Sequence, residues 1–155
     1  MWPCTVAMVG PLAAVVTLNG FGSLLWPQRG LAPLGVPVLL MGGSLDLITP
    51  PLSEQLRLFL PPGHPRSRLV LLEGGSHFSP VRMEARQEAV LQLGQDLVGV
   101  DPTAVQAQLL GLSGAFLESL ERPLLMPVQE RSQQGVRVFV LDAAAARRWR
   151  DLLSR

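Results

Sequence analysis

Charged residues, cysteine and histidine are scarce in this sequence of 155 residues, and lysine and tyrosine do not occur at all. Charged residues make up 16% of the chain, against roughly 25% in an average soluble domain. Hydrophobic residues reach 48%, which excludes a disordered chain because disorder needs low hydrophobicity together with high charge. The net charge of +1 argues against a nucleic-acid-binding arm and against electrostatic attachment to a membrane surface.

Cysteine and long apolar runs are limited as well. Cys4 is the single cysteine, which excludes an internal disulfide and a cysteine-built zinc site. The apolar run Thr5–Leu18 has 14 residues and is interrupted by Gly10-Pro11, whereas a membrane-spanning helix needs about 20. Neither a basic segment nor a small-residue cleavage site accompanies the run. We therefore expect a buried strand here, and neither a signal peptide nor a transmembrane segment; the compartment stays open.

Short apolar runs that stop at turn residues predict the strands of a sheet. Three such runs are Leu12–Leu18, Val36–Met41 and Arg68–Leu72, and they stop at Asn19-Gly20, Gly42-Gly43 and Gly74-Gly75. Apolar residues on both faces of a strand are typical of parallel strands that are buried on both sides. The alternation of Val136, Val138 and Val140 predicts a fourth, short strand, and the polar stretch Gln129–Gly135 before it predicts a loop.

Helical patterns separate and follow these strands. Helices are predicted from Thr49 to about Leu60, from Ser79 through Leu97, from Asp101 through Leu120, and after an Asp142 cap to the end of the chain. Strands spaced by helices imply the α/β class with a parallel sheet of about three main strands. The length fits one domain, residues 1–155. Its parts are strand and loop in 1–35, two glycine-rich blocks in 36–80, and C-terminal helices in 81–155.

Asp46 and His77 follow consecutive predicted strands, each in a glycine-rich loop. In open α/β sheets, ligands and catalytic groups lie at the carboxyl edge of the strands. Adjacent parallel strands are about 4.8 Å apart, so these loops can bring the Asp46 carboxylate to a nitrogen of the His77 imidazole. The carboxylate then fixes the tautomer, and the other ring nitrogen can act as a base. We therefore predict that Asp46 and His77 are a catalytic pair.

Simpler roles exist for each of these residues and for their neighbours. Asp46 alone fits a turn or a helix cap, and His77 alone fits a histidine with an ordinary structural role. His64 lies in a Pro-Gly-His-Pro turn, which favours a solvated loop residue over a metal ligand with Asp46 and His77. For Ser44, Ser76 and Ser79, hydrogen bonds that cap backbone N–H groups are favoured over a nucleophilic role.

Two sequence blocks resemble a known family. PVLLMGGSLDLITPP at Pro37–Pro51 and LVLLEGGSHFSPV at Leu69–Val81 are similar to the acid and histidine blocks of α/β-hydrolases. They resemble most closely the cyanobacterial predicted dienelactone hydrolases, which are related to platelet-activating-factor acetylhydrolases. Smaller matches lie at Asn19–Ser23, Glu54-Gln55, Asp101-Pro102 and Leu112–Phe116. The resemblance covers nearly the whole chain and implies that Asp46 is the triad acid and His77 the triad base.

The nucleophile of this family has no counterpart in the sequence. The fold orders its triad as Ser, Asp, His, with the Ser in a G-x-S-x-G elbow, and no G-x-S-x-G occurs here. The string Gly111–Ala115 lacks the last glycine and follows His77, so Ser113 is rejected as the nucleophile. The resemblance thus implies the C-terminal half of an α/β-hydrolase, with the elbow and the oxyanion donors encoded upstream or on another chain.

Two functions remain open at this point. The first is a carboxylic ester hydrolase that acts on a small ester substrate once a nucleophile-bearing half completes it, with no cofactor and no metal. The second is a non-catalytic remnant or interaction module that keeps the C-terminal half of the fold. In both, no nucleic acid is expected as a partner. The strand near Leu12–Leu18 is expected to be an open sheet edge that promotes self-association.

Overall fold

The computed structural model describes residues 11–22, 29–61, 63–80, 102–122 and 125–153. The predictions for Cys4 and for the helix through Leu97 lie outside these ranges, except that Ser79 and Pro80 are described. No helix within them is long and apolar enough to cross a bilayer.

Within the described residues, five strands form one mixed sheet. They are β1 (Val15–Leu18), β2 (Val38–Gly43), β3 (Arg68–Leu72), β4 (Gln129–Gln133) and β5 (Val136–Leu141), in the spatial order β1-β2-β3-β5-β4. The pairs β1–β2 and β2–β3 are parallel, whereas β5 runs antiparallel to both β3 and β4. The α/β class is therefore confirmed in its general form, and the described sheet is mixed, not parallel throughout. The expectation that β1 is buried on both faces is wrong, because Val16 and Leu18 are exposed.

The polar stretch predicted as a loop forms β4 and the turn of a hairpin. Gln134 and Gly135 connect β4 to β5, and both have positive φ angles of 54° and 76°. Two successive positive φ angles match the two-residue hairpin turns whose twist suits antiparallel strands. Among the described strands, β4 lies at one end of the sheet and is exposed. All five of its side chains are polar or charged. The prediction failed because no apolar face marks this segment as a strand.

Helices cover both faces of the sheet. A π-helical turn (Leu52–Leu56) continues directly into α1 (Arg57–Phe59), and two longer helices are α2 (Pro102–Glu121) and α3 (Ala143–Leu153). The helices predicted after Thr49, Asp101 and Asp142 are thus confirmed. The Asp142 carboxylate accepts a hydrogen bond from the Ala145 backbone N–H at 2.7 Å, the expected N-terminal cap of α3.

The alternation of side chains along the central strands divides the core in two. On one face, Leu39, Met41, Val70 and Leu72 pack with the apolar face of α2; on the other, Leu40, Leu69 and Leu71 pack with Leu56, Phe59 and Ala146. Because both faces are buried, the residues of β2 and β3 are fully enclosed. This enclosure makes the sheet edge a rigid platform for the loops that leave it.

The charged side chain of Arg68 is buried at the start of β3. Its guanidinium donates to the carbonyls of Met126, Pro65 and Ser67 at 2.7–3.2 Å. Burial lowers the pKa of Arg68, and the negative charge of Asp142 opposes that change. The carbonyl partners explain how a cation is accommodated at the edge opposite the two glycine-rich loops.

Candidate functional site at the carboxyl edge of the sheet

The two glycine-rich loops leave neighbouring parallel strands at the same edge. Gly43 at the end of β2 lies so close to Gly75 that a Cβ atom on Gly43 would overlap the backbone of Gly75. The Leu45 N–H donates to the Gly75 carbonyl at 2.9 Å. The glycines therefore allow the loops to touch, and this contact brings Asp46 and His77 together.

Asp46 and His77 form a direct pair. The His77 Nδ1 atom lies 3.1 Å from Asp46 Oδ1 and 3.0 Å from Oδ2. This confirms the predicted proximity of the two side chains. The Asp46 side chain is completely buried, whereas 30% of the His77 side chain is exposed. A buried carboxylate behind a partly exposed imidazole is the arrangement in which an acid orients a base that faces a ligand.

The Asp46 carboxylate is fixed by its own loop. Its Oδ1 accepts hydrogen bonds from the backbone N–H groups of Ile48 at 3.0 Å and Thr49 at 2.7 Å. Its Oδ2 accepts the Thr49 hydroxyl at 2.7 Å. These are the bonds of an aspartate-initiated turn, so the turn role considered for Asp46 is real. The same turn aims the carboxylate at His77, so the two roles are compatible.

The contacts of His77 select one tautomer of its ring. Because Nδ1 faces both oxygens of an acceptor-only carboxylate, the proton of the neutral imidazole lies on Nδ1. Nε2 then carries a lone pair, and within the described ranges it has no hydrogen-bond partner. The arrangement leaves this lone pair on a side chain that is partly exposed at the sheet edge.

Two further residues complete the site; the sequence pattern marks them only as a strand stop and a helix start and gives them no role beside the pair. The buried Thr49 hydroxyl lies within 3.2 Å of His77 Nδ1 and 3.0 Å of the Asn19 carbonyl oxygen, besides its bond to Asp46. The Asn19 amide donates to the carbonyls of Ser76 and His77 at 3.2 and 3.0 Å. Thus Asn19, directly after β1, links all three loops of this edge.

A signal for Asn19 was present in the sequence, although it was interpreted only as a turn. Asn19 has a φ of 47°, a left-handed conformation in which asparagine is enriched among non-glycine residues. The Asn19-Gly20 pair therefore does end β1, as predicted. Its side-chain role depends on partners almost 60 residues away, which no local pattern reveals.

The serines beside the pair form hydrogen bonds typical of loops. Ser44 Oγ accepts the Gly74 N–H at 2.9 Å, and Ser79 Oγ accepts the Ser76 N–H at 2.8 Å. The Ser113 hydroxyl donates to the Leu109 carbonyl within α2, as serines in helices often do. The predicted capping roles of Ser44 and Ser79 are confirmed, and Ser113 lies in a helix as expected.

The remaining candidate residues lie apart from this site. His64 precedes β3, at the opposite edge from Asp46, and its Nδ1 accepts the Arg66 N–H at 3.2 Å. Across the described ranges, no group of three histidine, cysteine, aspartate or glutamate side chains is arranged to hold a metal ion. Trp149 packs on Phe139 with ring centroids 5.6 Å apart.

Comparisons with known proteins leave the family of the chain open. No family model matches it, and no curated protein is significantly similar to it. The resemblance of the two sequence blocks to α/β-hydrolases therefore stays an expectation from sequence.

Proposed function

We propose that Asp46 and His77 are the acid and base of a serine-type carboxylic ester hydrolase of the α/β-hydrolase superfamily. In this proposal β1, β2 and β3 are the last parallel strands of the hydrolase sheet. The observation that carries it is the Asp46–His77 contact at 3.0 Å, with a wholly buried carboxylate and a partly exposed ring. The nucleophilic serine comes from a segment that bears a G-x-S-x-G elbow, which these 155 residues do not contain.

His77 would transfer one proton in each of the two halves of the hydrolysis. His77 Nε2 accepts the proton of the serine hydroxyl as the serine oxygen attacks the ester carbonyl, and Asp46 stabilises the imidazolium that results. The same proton then passes to the departing alcohol, which leaves an acyl-enzyme. Water repeats the sequence and releases the acid. General acid–base assistance of this kind contributes roughly 10²–10⁴ in rate.

The test compares the chain alone with the chain completed by a nucleophile. The 155-residue chain is expected to hydrolyse short p-nitrophenyl esters no faster than its His77→Ala variant, and to remain unlabelled by a fluorophosphonate probe. Joining the segment encoded directly upstream, where that segment carries a G-x-S-x-G, is expected to produce both activities. His77→Ala should then lose about 10²–10⁴ in rate, and Asp46→Asn should lose less, because the acid orients the base whereas the histidine transfers the proton.

The other histidine supplies the matched control. His64→Ala changes the same residue type at the opposite edge of the sheet and is expected to leave the esterase activity of the completed protein unchanged. Covalent labelling of the chain alone at Ser44, Ser76 or Ser113 would contradict the assignment of a nucleophile from outside. Esterase activity that survives His77→Ala would refute the role of the pair, and a joined protein without activity would favour a non-catalytic remnant.

A further inference from the structure

A second concave site lies on the face of the sheet that α3 covers. It is a cavity of about 440 Å³, within the range of small-molecule sites, about 300–1,000 Å³. Its floor is Leu71 and Phe139, which are directly opposite each other in the β3–β5 pair. The rest of its apolar lining is Pro50-Pro51 with Leu52, and Trp149 with Leu153. Two aromatic rings and two proline rings give the cavity flat apolar walls.

The polar part of the lining consists of three side chains, Ser44, Glu73 and Arg137. Glu73 Oε2 is 3.1 Å from Arg137 Nε, and the Arg137 guanidinium carbon lies 5.1 Å from the centre of the Phe139 ring. Glu130 Oε1 lies 3.2 Å from the same Nε, so two carboxylates share this guanidinium. The Ser44 oxygen already accepts the Gly74 N–H, so its hydroxyl proton and the Arg137 Nη groups are the donors that a ligand would meet.

We infer that this cavity binds an uncharged bicyclic-sized ring compound that carries one carbonyl oxygen. The ring system packs on Pro50-Pro51 and Trp149, whose rings present flat apolar faces. The carbonyl oxygen accepts from Ser44 and Arg137. A charged ligand is disfavoured because the lining is mainly apolar, and a carboxylate is disfavoured further because Glu73 and Glu130 already lie at Arg137. The site is separate from the Asp46–His77 pair and does not depend on the function proposed for that pair.

The test titrates three probes into the full chain: 1-tetralone, its hydrocarbon counterpart tetralin, and 2-naphthoate. Binding is followed by the indole N–H resonance of Trp149, assigned through a Trp149→Phe variant. Tetralone is expected to shift this resonance saturably and to bind more tightly than tetralin or 2-naphthoate. The Arg137→Met variant, which keeps the length of the side chain, is expected to remove the preference for tetralone over tetralin.

Two leucines provide a matched pair of variants. Leu153 at the cavity is 60% exposed and Leu117 on α2 is 50% exposed, so neither is needed for a stable core. Leu153→Ala is expected to weaken tetralone binding about fivefold through lost apolar contact, and Leu117→Ala to leave it unchanged. Because the readout is binding, His77→Ala should bind tetralone normally whatever the outcome of the esterase test. Equal effects of the two leucine variants, tighter binding of 2-naphthoate, or an unshifted Trp149 resonance would overturn the inference.

Discussion

Replacing Thr49 by valine removes one hydroxyl from the centre of the Asp46–His77 site without changing the size of the side chain. Thr49 is buried, and its hydroxyl donates to Asp46 Oδ2 at 2.7 Å. The backbone N–H of residue 49 still bonds Asp46 Oδ1 in the variant, since that bond does not involve the side chain. The substitution therefore isolates the contribution of a single hydroxyl to the carboxylate.

The magnitude follows from the charge of the acceptor. A hydrogen bond to a charged group contributes about 1.5–3 kcal/mol to stability. The Asn19 carbonyl, 3.0 Å from the same hydroxyl, loses a polar neighbour too. We therefore expect Thr49→Val to lower the free energy of unfolding by about 1.5–3 kcal/mol.

The assay is urea unfolding of the full chain, followed by circular dichroism. Thr17→Val is the matched control, because the Thr17 hydroxyl is buried and has no hydrogen-bond partner among the described residues. Removing an unsatisfied hydroxyl recovers its desolvation penalty, so Thr17→Val is expected to be neutral or to stabilise by up to about 1 kcal/mol. The slopes of the two unfolding curves should agree with the wild type.

The comparison of the two valine variants shows whether the Thr49 hydroxyl stabilises the protein through the Asp46 carboxylate. If Thr49→Val is no more destabilising than Thr17→Val, the hydroxyl does not support the carboxylate and the reasoning is refuted. A second readout concerns the site itself: the ¹⁵N shifts of the His77 ring should show a proton on Nδ1 in the wild type. In Thr49→Val, the same tautomer should persist, because Nδ1 keeps both carboxylate oxygens of Asp46.

Substitutions at three other positions test the loops around the pair and the exposed strand β1. Asn19→Gly keeps the left-handed backbone but loses the side-chain bonds to the histidine loop, so it should destabilise by about 0.5–1.5 kcal/mol per bond lost. Asn19→Ala should cost about 1 kcal/mol more in the same unfolding assay, because alanine is strained at a φ of 47°. Gly43→Ala is expected to push the two loops apart at a cost of at least about 1–3 kcal/mol and to broaden or shift the His77 ring resonances; an unchanged spectrum would contradict the close approach. Val16→Lys places a charge on β1, which is exposed and lies at one end of the sheet formed by the described strands. This variant should reduce self-association, measured by sedimentation velocity. Leu110→Lys, on the exposed face of α2, is the control and should not reduce it.

The apolar runs and their stops determine much of the architecture locally. β2 and β3 are near-continuous apolar segments that end at glycine pairs, and this pattern depends only on neighbouring residues. The cap at Asp142 is local for the same reason, because its carboxylate bonds an N–H three residues ahead. Even the pairing of Asp46 with His77 follows from sequence, since consecutive parallel strands place their following loops at one edge.

Tertiary structure alone decided the features that depend on distant partners. The strand β4 is polar throughout and is held by its pairing with β5, so its own composition gives no strand signal. Asn19 bonds carbonyls 57 and 58 residues further along the chain, and the Thr49 hydroxyl meets Asn19 and His77 across gaps of 30 and 28 residues. The cavity over Leu71 and Phe139 exists only because β5 packs antiparallel beside β3 and directs α3 back across the sheet. Local periodicity encodes which residues form an element and which face they bury. Packing fixes the position of one element against another. Asn19 and Thr49 support the site through contacts between elements, so local periodicity does not reveal their role.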